Sequence, residues 1–149
     1  MKKAVALTAL AAVLAFSPAF AQQTNVKIGV LTDMSSLYAD ATGPGSVAAA
    51  KLAAADFMKD NPSFKVEVVS GDHQNKADIG TQIANQWYDV DKVNMIIDVP
   101  NSGVALAISE VTKQKNKVFI GSGPASSDLT GAKCSPNTVH WTYDTWMLA

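Results

Sequence analysis

Apolar and polar residues alternate in blocks along this chain, and the blocks predict strands and helices in turn. Apolar runs rich in β-branched residues occupy positions 26–32, 64–70, 93–99, 117–121 and 138–143. Nearly continuous apolar runs bounded by polar segments are typical of strands that are buried on both faces of a sheet. We therefore expect five short strands, separated by segments of a different periodicity.

The segments between the first four strands have helical spacing. The first, residues 47–59, is rich in alanine, follows Pro44 in a helical first turn and stops at Asn61-Pro62. The other two each place their apolar residues on one helical stripe: Ile79, Ile83, Trp87 and Val90, then Val104, Ala107, Ile108 and Val111. This alternation predicts an α/β fold, namely a Rossmann-like open parallel sheet with helices on both faces.

Polar loops follow the first, third and fourth predicted strands, at residues 33–42, 100–103 and 122–128. The carboxyl ends of parallel strands share one edge of the sheet, where open α/β sheets bind their ligands. This edge collects six hydroxyl groups: those of Ser35, Ser36, Tyr38, Ser102, Ser126 and Ser127. Their convergence favours a binding site over a set of ordinary turn-rich connections.

Two features of this edge could hold an anion without a charged side chain, and the chain contains no arginine. The loop after the fourth strand offers backbone N–H groups and the hydroxyls of Ser122, Ser126 and Ser127. The third helix, which Asn101 or Ser102 would cap, offers its N-terminus. A plain helix cap and an ordinary strand-to-coil turn are the alternatives at these two positions.

No catalytic, cofactor or metal motif stands out in the sequence. A nucleophile elbow and a phosphate-binding Walker A loop are both absent. Residues 121–126 begin like a dinucleotide fingerprint, but Ser126 replaces its final glycine. His73 and His140 lack ligand spacing, and Cys134, the only cysteine, is either a free thiol or paired outside this sequence. We therefore expect a protein that binds without catalysing, and no cofactor.

The first 21 residues have the composition of a secretory signal peptide. Lys2 and Lys3 precede an apolar run at 4–16, and Ala19-Phe20-Ala21 forms a cleavage site. The run is shorter than the roughly 20 residues that span a bilayer. Cleavage would take the formal net charge from −1 to −3. That balance favours neither nucleic acid nor a membrane surface as partner, so we expect a periplasmic protein without direct membrane insertion.

From residue 22 onward, the chain resembles the amino-terminal lobe of periplasmic solute-binding proteins of the leucine/isoleucine/valine-binding type, which serve ABC importers. The matching positions are 27–32, Tyr38, 43–51, 102–103, 122–126 and 140–144. The resemblance implies the type I fold, in which two α/β lobes close on a ligand. Residues 22–143 would form the amino-terminal ligand-binding lobe, and residues 144–149 would begin the crossover to a second lobe.

The resemblance also implies a set of ligand-binding residues: Tyr38, Ser102, Gly103, Ala125, Ser126, Ser127 and Asp144. Ser102 would bond the ligand carboxylate, with help from the N–H group of Gly103. The carbonyl of Ala125 and the hydroxyl of Ser126 would take the ligand ammonium or its carboxylate. Tyr38 would pack against the ligand. A one-residue choice of alignment decides whether Ser102 or Gly103 takes the binding position.

The implied function is capture of a branched-chain amino acid or a related small carboxylate or amide. The captured ligand would pass to the membrane permease of an ABC transporter, without chemistry. Asp144 would lie at the hinge or the edge of the site, and Ser127 is the remaining candidate. A binding protein for aromatic acids and a sensor domain of the same fold are alternatives, whereas an exported enzyme would need catalytic groups elsewhere. Because family members have a second lobe, we expect this sequence to be a fragment.

Overall fold

The computed structural model describes residues 23–149, which form one five-stranded parallel sheet. The strands are β1 (Thr24–Thr32), β2 (Phe64–Asp72), β3 (Met95–Asp98), β4 (Val118–Gly121) and β5 (Thr138–His140). They lie in the order β2-β1-β3-β4-β5, and every neighbouring pair is parallel. The expected α/β sheet is thus confirmed, while the predicted signal peptide at 1–21 lies outside the described residues.

Three helices connect the first four strands: α1 (Gly43–Asp60), α2 (Ala77–Asp89) and α3 (Ser102–Gln114). The chain moves towards one edge of the sheet through α1, from β1 to β2. It then moves towards the other edge through α2 and α3. Because parallel crossovers are right-handed, the two directions put helices on opposite faces. Among residues 23–149, no helix has both the length and the apolar character needed to cross a membrane.

Side-chain packing on β1 identifies the two faces. The ring of Trp87, on α2, lies directly over Gly29. Ile28 points to the other face, where it lines a cavity of about 340 Å³ together with Phe57 of α1. The helices therefore cover both faces, as the alternation of elements predicts, with α2 and α3 on one side and α1 on the other.

The hydrophobic core lies between the sheet and the α2–α3 pair. Ile96 of β3 and Phe119 of β4 point into it, and both are completely buried. The cluster contains thirteen buried residues: Leu31, Ala84, Trp87, Tyr88, Val93, Ile96, Val99, Val104, Ala105, Ile108, Val111, Phe119 and Leu129. Burial of apolar area at about 25 cal/mol per Å² is the main term that stabilises this side.

The α1 face of the sheet is covered only in part. α1 packs on β1 and β2. On the same side of β4 and β5, Val118 and Val139 are 42% and 44% exposed, and Trp141, just past β5, is 76% exposed. Ile120 lies between them in register with Val139. These side chains leave apolar surface exposed on this face of the sheet.

Several element boundaries differ from the sequence-based expectation, and β3 is Met95–Asp98 rather than residues 93–99. β5 ends at His140 rather than at residue 143. Its partner strand β4 ends at Gly121, whose carbonyl accepts the last bond, from the N–H of Trp141 at 2.9 Å. In addition, the segment after β4 is more regular than expected, because Ser127–Leu129 form a short 3-10 helix.

The close approach of Trp87 to β1 gives a stability prediction. A Cβ at Gly29 would lie 2.4 Å from the Trp87 ring, so Gly29→Ala should lower the free energy of unfolding by about 1–3 kcal/mol. Gly45, in α1, is the matched control, because a Cβ there meets nothing within 4 Å. Gly45→Ala should raise the free energy of unfolding by about 0.5–1 kcal/mol. Urea denaturation of both variants measures the difference, and equal stabilities would contradict this packing.

Candidate ligand-binding site

The carboxyl edge of the sheet contains the point where the direction of the chain connections switches. The connection from β1 leaves towards one face and the connection from β3 towards the other, which opens a crevice between their ends. Three segments surround the crevice: the β1 loop (residues 33–42), the turn at 99–101 and the β4 loop (residues 122–126). These are the loops in which the sequence places most of its candidate residues.

Ser102 ties two of these segments together. It is the first residue of α3, and its Oγ accepts hydrogen bonds from the N–H groups of Ala125 at 3.1 Å and Ser126 at 3.2 Å. The next residue, Gly103, is exposed. Four predicted ligand-binding residues thus meet where the N-terminus of α3 faces the β4 loop. N–H groups and hydroxyls at a helix N-terminus suit a small carboxylate.

The segment after β5 bonds to the far side of the β4 loop. The N–H of Thr145 donates to the carbonyl of Ala125 at 2.7 Å. The Oγ1 of Thr145 lies 3.4 Å from the N–H of Ser127 and 3.2 Å from its hydroxyl. The Ala125 carbonyl therefore already accepts one hydrogen bond and has one lone pair left for a ligand. Thr145 is a contributor to this region that the sequence analysis did not select.

Asp144 and Ser126 both act as local caps. The carboxylate of Asp144 accepts a bond from the N–H of Met147 at 2.8 Å, which closes a turn over residues 145–148. The hydroxyl of Ser126 accepts a bond from the N–H of Asp128 at 3.3 Å, which caps the short 3-10 helix. A ligand contact by either residue stays a prediction.

The β1 loop, which carries Tyr38, is built on a buried carboxylate. Asp33 is fully buried. It accepts bonds from the N–H groups of Ser36 and Tyr38, each at 2.9 Å, and from the Ser36 hydroxyl at 2.6 Å. Asp72, at the end of β2, accepts a bond from the N–H of Met34 in the same loop at 3.0 Å. An aspartate directly after a buried strand and followed by serines is the sequence signal of such a turn.

The hydrogen bonds to Asp33 and Asp72 keep both carboxyl groups ionised. Burial by itself would raise the pKa of Asp33, but bonds from the Ser36 side chain and from three backbone N–H groups outweigh burial and lower it. For Asp72, burial and the nearby Asp33 charge act to raise the pKa. Hydrogen bonds from Met34, Ser35 and Gln74 outweigh both effects, so the pKa of Asp72 is lowered. Tyr38 is thus held in a loop whose geometry depends on two charged acceptors.

Two further buried polar groups lie near this edge, and the sequence analysis singled out neither. Asp98, at the end of β3, accepts a bond from the Ser122 hydroxyl at 3.1 Å, while its Oδ2 has no partner. Asp98 and Val99 adopt φ values of +81° and +57°, which are strained for residues with a side chain. His73, after β2, is fully buried, and its Nε2 also has no partner.

The groups at this edge are N–H groups, hydroxyls and one carbonyl, supported by buried carboxylates. Within the part of the chain that the structure describes, no cluster of three His, Cys, Asp or Glu side chains has the geometry to hold a metal ion. Cys134 is an exposed free thiol.

The lowered pKa of Asp33 predicts how the loop responds to acid. A carboxylate with a depressed pKa stabilises the fold above its ordinary pKa, and that stability is lost as the pH falls through the folded-state value. Asp33→Asn removes the charge but keeps one acceptor oxygen. Chemical denaturation between about pH 6 and pH 2 should show a smaller acid-induced loss of stability in Asp33→Asn than in the unchanged protein. Parallel pH profiles for the two proteins would contradict the assignment.

Comparison with known proteins identifies the family of this chain. Residues 25–149 match the model of a family described as periplasmic binding protein. A periplasmic binding protein from Burkholderia mallei has 45% sequence identity and a TM-score of 0.77, and the match covers 81% of this chain and 32% of that one. A branched-chain amino acid ABC transporter periplasmic ligand-binding protein from Burkholderia xenovorans has 41% identity and a TM-score of 0.73, with 80% and 32% covered. No curated protein matches significantly.

A more distant structure shares the fold alone. It is an ABC transporter solute-binding protein from Rhodopseudomonas palustris, solved in complex with 4-hydroxybenzoate, with 21% identity, a TM-score of 0.66, and 80% and 32% of the two chains covered. The present chain thus spans about one third of the length of each of these three structures. With the family model matching most of its residues, the chain belongs to the periplasmic binding protein family, with the type I fold and neighbours among branched-chain amino acid transporter components.

Proposed function

We propose that this chain is the amino-terminal lobe of the substrate-binding component of an ABC importer. In this proposal it captures a small carboxylate ligand in the periplasm and delivers it to a membrane permease, without catalysis. The observation that carries the proposal is the bridge from Ser102 to the N–H groups of Ala125 and Ser126. It holds a helix N-terminus and a hydroxyl-rich loop together at the edge where open α/β sheets bind ligands.

Residues 22–143 act in this proposal as one lobe of two, and residues 144–149 begin the crossover. Two observations support the division. The chain covers only 32% of its Burkholderia relatives. The α1 face also leaves Val118, Val139 and Trp141 largely exposed, which is a costly arrangement for an isolated domain. Closure of a second lobe over the carboxyl edge would then complete the half-site that Ser102 and the β4 loop provide.

The predicted contacts are made to the carboxylate that several ligand classes share. They do not select the side chain of any one ligand. Ser102 and Gly103 would hold the carboxylate at the start of α3, and Ala125, Ser126 and Ser127 would supply the β4-loop side. A branched-chain amino acid is the first candidate, because a 41% identical relative is described as a branched-chain amino acid ABC transporter periplasmic ligand-binding protein. An aromatic acid is the second, because a structure of the same fold holds 4-hydroxybenzoate.

Isothermal titration calorimetry on the complete secreted gene product tests the function. The panel contains leucine, isoleucine, valine and 4-hydroxybenzoate, with glycerol as a ligand that lacks a carboxylate. Saturable binding of one carboxylate, without its chemical conversion over hours, is the expected result. Binding of none of them, or turnover of a bound compound, would contradict the proposal.

Substitution of Ser102 tests the site. Ser102→Ala removes the hydroxyl that would bond the carboxylate and also the acceptor that positions the β4 loop. The binding free energy of the panel ligand that binds should become less favourable by about 1–3 kcal/mol, as for a lost hydrogen bond to a charged group. Ser102→Thr keeps the hydroxyl and should recover part of the loss.

The matched control for Ser102 is Ser63→Ala. Ser63 is an exposed serine that directly precedes β2, at the opposite end of the sheet. It should leave the affinity unchanged, because it is remote from the carboxyl edge. Equal affinities of Ser102→Ala and Ser63→Ala would remove Ser102 from the site.

A further inference from the structure

A chain of hydrogen bonds runs from the buried His73 to the start of α3. The Nδ1 of His73 accepts a bond from the N–H of Asn75 at 3.0 Å. The Asn75 side-chain oxygen accepts from the Nδ2 of Asn101. The Asn101 Oδ1 in turn accepts from the N–H of Val104 at 2.9 Å and caps α3. Ser102, which holds the β4 loop, lies directly after this cap.

The first bond in this chain fixes the protonation state of His73. A backbone N–H can only donate, so the Nδ1 that accepts from Asn75 carries no proton. The imidazole is therefore neutral, with its single proton on Nε2. A second proton can be taken up only at Nδ1, where it would face the N–H of Asn75. Protonation thus removes the acceptor and sets two donors against each other.

The surroundings of His73 resist protonation without forbidding it. Three carboxylates act on the ring from the ends of the strands: Asp33 after β1, Asp72 at the end of β2 and Asp98 at the end of β3. On the helix side, Gly80 of α2 lies against the Cβ of His73. Burial lowers the pKa of His73 below its ordinary 6.5 and outweighs the three carboxylates, which act to raise it.

We infer that His73 and Asn75 are positioning residues of the ligand site and that they make it sensitive to acid. In neutral solution they hold Asn101 at the cap of α3, and so hold Ser102 against the β4 loop. Protonation of His73 at Nδ1 breaks the bond to Asn75 and releases the cap. The part of this inference that concerns ligand affinity rests on the function proposed above.

The inference has a fixed direction in pH. A histidine whose folded-state pKa is lowered leaves the unfolded state with more bound protons, so stability declines as the pH falls below about 6.5. Ligand affinity should be constant above that range. Below the pKa of His73 it should fall by up to about tenfold for each pH unit, the limit for uptake of one proton.

Amide exchange measured by NMR on the ligand-free, complete gene product tests the hydrogen-bond chain directly. The amides of Asn75 and Val104 are the reporters, because each donates to one link of the chain. After correction for the intrinsic rate, their exchange should accelerate as the pH falls from neutral through the lowered pKa of His73, as far as the protein stays folded. If the exchange rates of these two amides do not change with pH while the protein remains folded, the inference is wrong.

Two variants separate positioning from a merely structural role. His73→Asn can present an amide oxygen to the N–H of Asn75 and does not titrate, so it should lose the acid transition in ligand affinity. Asn75→Gly suits the local φ of +57° and keeps the N–H, but it removes the link to Asn101. It should uncouple the exchange of the Val104 amide from the titration of His73.

His140→Asn is the matched control, because His140 is the only other histidine in the chain. Its Nε2 lies 2.6 Å from the carbonyl of Pro124, outside the His73 chain. The acid transition should persist in this variant. A transition that persists in His73→Asn, or that disappears in His140→Asn, would overturn the assignment.

The failure of the two proposals can be told apart. If no panel ligand binds, the importer function is wrong, while amide exchange in the ligand-free protein still decides the role of His73. If a ligand binds with an affinity that does not depend on His73 or on pH, the function stands and the positioning role is wrong. If His73→Asn does not fold, the pH dependence of the unchanged protein and of Asn75→Gly supplies the answer.

Discussion

Parallel pairing of β1 with both β2 and β3 is the constraint on which the rest of this structure depends. Because β1 lies between its two successors, the chain must cross in one direction and then in the other. Right-handed crossovers then send α1 to one face and α2 with α3 to the opposite face. The same pairing aligns every strand, so the polar loops that follow β1, β3 and β4 are collected at one edge.

Buried polar groups convert that shared edge into a defined geometry. Asp33 organises the β1 loop by accepting hydrogen bonds from the loop's N–H groups, and Ser102 joins α3 to the β4 loop. A buried carboxylate is tolerated only where donors replace water, and such donors come here mostly from backbone N–H groups. The loops at this edge are therefore ordered by internal hydrogen bonds.

The two faces of the sheet are covered to different degrees. On the α2–α3 side, Ile96 and Phe119 are completely buried, whereas on the α1 side Val139 and Trp141 remain exposed. The chain also spans about one third of its relatives. In the two-lobe arrangement that we propose, this chain alone would have one well-packed core and half of a ligand site.

The sequence by itself determined the order of strands and helices, the parallel sheet and the edge at which the polar loops meet. These follow from hydrophobic periodicity and crossover rules, which depend on neighbours close in the chain. Only the tertiary structure decided which polar groups pair. Ser102 meets Ala125 across 23 positions of sequence, and Asn101 meets Asn75 across 26. The packing of α3 against the sheet selects such partners, and hydrophobic periodicity does not predict that packing. The hydrogen-bonded role of His73 was therefore visible only in the tertiary structure.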